Sequence, residues 1–344
     1  MKFGKLSKVL AGLLLTVGVA QADLTAELHG IKGNADAQSK AFLKKIDSVG
    51  FQWAGNDNIQ IPYFKKFHDK NLDLLSFFTV TNLDVMRELL LKNPDFGAYA
   101  PFNMLFYKKL DKDEKITWFG HLDADLMLNI IGEKDDANRK TFKDMVASLD
   151  EVAMKELKPT ESKKLEYSDK LPEQPLTKMV MKLPDDLKDA DAITEWTENW
   201  VEKHDGAFVK NEFIIAGFLD FKLEYDDAEE EFSKYDAYWV SSLCHFKFSN
   251  SIFNHGEPQA GLFAPCSMYF YVPKGSKELH VGYANVKNWL ATAGIKDETM
   301  RKSIEEIDDK VVETFKSLGF ELEDGKATEK KEAPAKKAEE KKAA

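Results

Sequence analysis

Two asparagines, Asn82 and Asn250, stand where an apolar, strand-like run gives way to a helical one. A helix start leaves backbone amides without partners, so such a position can hold an anion or can simply receive a capping side chain. They head the ligand-binding candidates, followed by Pro101, Pro265, Tyr107 and Tyr271 on the aromatic strands downstream, where a core role competes with a binding one. Cys244, His245, His255, Cys266 and His280 form a second group of types that bind metals or carry redox chemistry. Their spacing matches no zinc pattern, and the adjacent Cys244 and His245 face opposite ways on a strand, so neither a metal site nor a cofactor is assigned. Cys244 and Cys266 could pair as a disulfide or remain as two buried thiols. There is no glycine-rich phosphate loop, serine elbow or His-Glu-x-x-His helix, and no carboxylate pair is singled out by spacing. The catalytic residues are therefore unknown, and the balance falls toward a protein that is not an enzyme.

The elements that position these residues come in two copies. Ala264-Pro265-Cys266-Ser267-Met268-Tyr269-Phe270-Tyr271 matches Ala100-Pro101-Phe102-Asn103-Met104-Leu105-Phe106-Tyr107, with Gly261 and Gly97 shortly before. The run from Gly132 to Thr141 matches Gly294 to Ser303 without a gap, and Asp135 and Asp297 suit the caps of the helices that follow. Leu75, Phe78 and Asn82 align with Leu243, Phe246 and Asn250, which pairs Cys244 with Ser76 and Cys266 with Phe102. On this alignment the helical stretch after the asparagine, Leu83 to Lys92 in the first copy, is stunted in the second. Strands are expected over 51–64, 72–81, 207–223 and 237–249. A first helix carrying Phe42, Leu43 and Ile46 ends at Gly50, and its counterpart carrying Ile193, Trp196 and Trp200 stops near Gly206. The expected fold is α+β: two repeated domains, each an antiparallel sheet with helices packed on one face, forming a pseudo-dimer within one chain.

Composition assigns the remaining segments. Lys2, Lys5 and Lys8, the apolar run from Val9 to Val19 and the small-x-small step Ala20-Gln21-Ala22 read as a signal peptide over 1–22. The expected location is thus periplasmic or secreted, with no integral membrane segment after cleavage. Domains are expected at 23–156 and 178–320, joined by a linker over 157–177 and followed by a disordered Lys/Glu/Ala tail over 321–344. Removing the three signal lysines takes the formal charge from −11 to −14, which argues against nucleic acid as a partner. The partner expected instead is a small molecule or a periplasmic protein, which makes the chain a binding or interaction module. The alternative is a periplasmic enzyme or a redox- or metal-linked protein using the second domain.

The run Val80-Thr81-Asn82, leading through a helix into Ala100-Pro101 and the aromatic strand, resembles the domain of unknown function 302 family. That family's pattern is a strand ending in a Phe-Gly-Asn-Pro-like turn, a helix, a Leu-Pro step into the next strand and a Tyr-containing closing strand. Asn82 and Asn250 take the place of the turn asparagine, and Pro101 and Pro265 that of the step proline, over 36–132 and 180–294. The resemblance implies a small α+β fold and a tendency to pair domains, with no established reaction.

Overall fold

Two antiparallel six-stranded sheets of identical topology organise the molecule, a computed structural model that describes residues 23–56, 58–111, 115–187 and 189–323. The expected signal peptide, residues 1–22, and residues 324–344 of the expected tail lie outside the described residues. The first repeat runs β1 (Leu24–Lys32), α1 (Asp36–Leu43), β2 (Phe51–Asn56), α2 (Gln60–Phe67), β3 (Leu72–Asn82), α3 (Leu83–Lys92), β4 (Phe102–Lys109), β5 (Ile116–Gly120), α4 (Ala124–Ile130), α5 (Asp136–Leu157) and β6 (Glu161–Glu166). The second repeats that order with β7 (Leu176–Lys182), α6 (Ala190–Lys210), β8 (Phe213–Asp220), α7 (Phe221–Asp227), β9 (Tyr235–His245), α8 (Phe246–Phe253), β10 (Cys266–Pro273), β11 (Glu278–Ala284), α9 (Asn288–Thr292), α10 (Glu298–Ser317) and β12 (Glu321–Leu322). The strand orders, β2-β3-β4-β5-β1-β6 and β8-β9-β10-β11-β7-β12, correspond position by position.

The long helices form where the apolar spacing places them. Phe142, Met145, Val146 and Leu149 bury one face of α5, and Ile304, Val311 and Phe315 one face of α10. Their caps are the expected ones: Asp135 accepts from the Asn138 amide and Asp297 from the Met300 amide. Each carboxylate satisfies an otherwise orphaned donor.

Several boundaries differ from the sequence reading. Residues 60–67 and 221–227 are helical, not extended, and β9 gives way to α8 at Phe246. Strands β3 and β9 are buried along nearly their whole length, because helices cover one face and the other repeat covers the second. No polar alternation therefore marks where they end. Helix α6 runs through Gly206 to Lys210, and the left-handed turn found at Gly50 falls on Glu212 in the second copy. Within the expected linker, residues 161–166 pair with β1 as an edge strand. Its Lys and Glu content suits an edge, where charge discourages further pairing, and that same content disguises it as a linker. Glu321 and Leu322, expected in the tail, pair with β7.

The repeats exchange matching segments. The 3-10 turn Pro94–Tyr99 lies on β10 and β11, and its counterpart Pro258–Phe263 lies on β4. Gly97 and Gly261 make this approach possible: a Cβ on Gly97 would stand 2.5 Å from Tyr269 Cβ, and one on Gly261 would stand 2.9 Å from the Phe77 ring. One apolar core accordingly contains residues of both repeats, among them Phe77, Leu105, Tyr238 and Tyr269.

Candidate functional site

Asn82 is the N-cap of α3: its Oδ1 accepts from the Val85 amide at 3.1 Å and its Nδ2 donates to the Val49 carbonyl at 3.1 Å. Asn250 is not its counterpart. β3 and β9 are both 11 residues long, and each ends on the cap of the next helix, which places His245 opposite Asn82. His245 Nδ1 accepts from the Phe248 amide at 3.2 Å, so an imidazole nitrogen does the work of the carboxamide oxygen. The alignment through Asn250 is five residues out of step, and the true counterpart of Cys244 is Thr81, not Ser76. Asn250 lies inside α8, donating to the Asp69 carboxylate of the first repeat, which His255 also reaches at 3.1 Å.

The other candidates are dispersed. Tyr107 is buried and its hydroxyl accepts from Lys163 Nζ at 3.0 Å. Tyr271 stacks on His280 with centroids 4.8 Å apart, and His280 Nδ1 meets Glu323 at 2.7 Å. Pro101 and Pro265 both follow cis peptide bonds and line one small cavity at the junction of the repeats. Cys244 and Cys266 are free thiols. Cys266 is in register with Leu243 and not with Cys244, and the two thiols point to different acceptors, Ser249 Oγ at 3.3 Å and the Phe263 carbonyl at 3.8 Å. Burial pushes Cys244 up to about 11 and Cys266 up to about 12, so both stay protonated and poorly nucleophilic at neutral pH. Among the described residues no cluster of three His, Cys, Asp or Glu side chains is placed to hold a metal.

The structure brings together a different set. Where the unhelical faces of the sheets meet, beside edge strands β2 and β8, a slot of about 110 Å³ opens to solvent. One wall comes from the cross-strand pairs Gln52–Thr81 and Ala54–Thr79, the other from Gly217–Ser242 and Leu219–Val240, and Pro101 closes the space between them. Trp53 and Phe218 stand at its rim, and the Trp53 ring turns to the opposite face to pack edge-on against Phe78 at 5.7 Å. Thr81 is only 7% exposed and its hydroxyl has no hydrogen-bond partner among the described residues. Thr79 Oγ1 is already committed to the Ala54 carbonyl, and Ser242 Oγ has only a long 3.5 Å contact to Ser267 Oγ. An unpaired buried hydroxyl is costly unless something fills its hydrogen bond.

A second pocket, of about 230 Å³, lies between α5 and the first sheet and contains a pair that spacing does not reveal. His121 Nε2 is 2.8 Å from Asp150 Oδ1, and its Nδ1 is 2.7 Å from the Leu122 carbonyl. Neither oxygen can donate, so both ring nitrogens must, and the ring is an imidazolium. Burial alone would lower the His121 pKa, but the Asp150 carboxylate and the Leu122 carbonyl outweigh it and hold the pKa above the ordinary value. Asp150 is held low, since His121 outweighs the effect of its burial. With both nitrogens engaged, His121 has none left to exchange a proton with a substrate. The only sequence signal is its position one residue after Gly120, since its second-repeat equivalent is Tyr283.

Comparison with known proteins adds little to this geometry. No family model matches the chain, and no curated protein matches it. Among solved structures it is similar to that of an uncharacterised conserved protein, DUF302, from Bacillus stearothermophilus, at 10% sequence identity and a TM-score of 0.32, over 41% of this chain and 96% of that one.

Proposed function

We propose that this chain is a periplasmic or secreted, non-enzymatic binding module, built from two repeats of the domain-of-unknown-function-302 kind, that takes a small molecule into the slot between its two sheets. The observation that carries this reading is the slot itself: it is open, its walls come from both repeats, and an unpartnered hydroxyl, Thr81 Oγ1, is buried in one of them. Junctions between like domains are favoured places for ligand sites. Export is supported by Lys2, Lys5 and Lys8, the apolar run after them and Ala20-Gln21-Ala22.

Native mass spectrometry of the full-length gene product recovered from a bacterial periplasm tests both parts. The expected result is a chain beginning at Asp23 that carries a non-covalent added mass. Gly217→Leu should lose that mass without unfolding, because a Cβ at Gly217 meets nothing nearer than Ser242 Cβ at 3.7 Å and the added side chain enters the slot. An added mass retained in Gly217→Leu would place the ligand elsewhere, and substrate turnover abolished by a single substitution would make the protein an enzyme.

A further inference from the structure

Resting on the reading of the slot as a ligand site, we infer that its ligand is an uncharged, hydroxyl-bearing small molecule of the polyol class. Charged residues make up 31% of the chain, yet among the described residues none of those lining the slot is charged. An ionic ligand brought between two sheets without a counter-charge would lose hydration and gain no ion pair. The polar groups on offer are the Gln52 carboxamide and Ser242 Oγ, whose one contact is weak, with the unpartnered Thr81 Oγ1 buried in the wall behind them. Each can both donate and accept, as does every hydroxyl of a polyol. Ala54, Leu219, Val240 and Pro101 supply apolar surface for the ligand's carbon face. The volume of about 110 Å³ is that of roughly four water-sized groups, which suits a short chain of hydroxylated carbons and excludes a large ring system.

Saturation-transfer NMR on the intact mature chain, with glycerol, lactate and ethanolammonium as probes, tests this. Glycerol should bind saturably and weakly, while the two charged probes give no saturable signal. Gln52→Leu, which keeps the size and removes the exposed carboxamide, should weaken glycerol about fivefold, the value of one net hydrogen bond, and Gly217→Leu should abolish binding. If lactate or ethanolammonium binds, Gly217→Leu removes that binding and glycerol does not bind, the slot is a ligand site but the polyol assignment is overturned. Glycerol binding unchanged in both variants overturns the assignment together with its location, and no saturable binding by glycerol in the wild-type chain overturns the assignment alone. The added mass in the native spectrum and its loss in Gly217→Leu decide the slot reading separately.

Discussion

His121 and Asp150 form an ion pair whose two members answer to opposite ends of the pH scale. The His121 pKa is raised, so its contribution to stability is complete below the unfolded value of about 6.5 and is lost as pH rises through the folded value. The Asp150 pKa is lowered, so its share is present above the unfolded value of about 3.9 and is lost as pH falls through the folded one. The pair is therefore worth most between these limits. Because Asp150 is half exposed, solvent screening leaves on the order of 1 kcal/mol. Urea titrations at pH 6 and pH 9 should show the wild type losing about that much more stability than Asp150→Asn between the two. Equal losses in the two proteins would show that His121 is not held as an imidazolium.

At the scale of the element, two glycines show how one substitution can have opposite effects. Gly97 lies in the 3-10 turn that docks on β10, where an added methyl would run into Tyr269. Gly97→Ala should destabilise the fold by about 1–3 kcal/mol, the usual cost of overpacking. Gly206 lies inside α6, where a methyl would meet nothing within 4 Å, so Gly206→Ala should stabilise it by about 0.5–1 kcal/mol. Denaturant midpoints of the two variants decide the matter, and a neutral Gly97→Ala would mean that the turn is not clamped between the repeats. That Gly97 and Gly261 recur is plain from the sequence. That each fits against the other repeat's sheet is a fact of packing that no local pattern contains.

For the whole molecule, the exchange of turns gives the repeats a shared apolar core, so they should unfold together. Four tyrosines of the second repeat donate across the junction: Tyr225 to the Leu83 carbonyl, Tyr235 to Leu90, Tyr238 to Pro94 and Tyr269 to the Asp95 carboxylate, all at 2.6–2.8 Å. Leu72, Leu75 and Leu105 occupy the equivalents of Tyr235, Tyr238 and Tyr269 in the first repeat, so the junction is symmetric in backbone and asymmetric in chemistry. Scanning calorimetry should give a single unfolding transition with equal calorimetric and van't Hoff enthalpies. Two resolved transitions would show that the repeats unfold independently.

The duplication, the aromatic strands, the long helices with their aspartate caps and the α+β class were all legible in the sequence, because each rests on local rules: periodicity, capping chemistry and self-similarity. The remaining features share one physical origin. A cap needs a hydrogen-bond acceptor and not a particular residue type, so Asn82 and His245 were not matched. An edge strand needs only its backbone to pair, so residues 161–166 read as a linker. The slot depends on which faces of two sheets meet, and the His121–Asp150 pair spans 29 residues and two elements. Contacts between residues far apart in the chain exist only once the elements have packed, and the tertiary structure alone decided them.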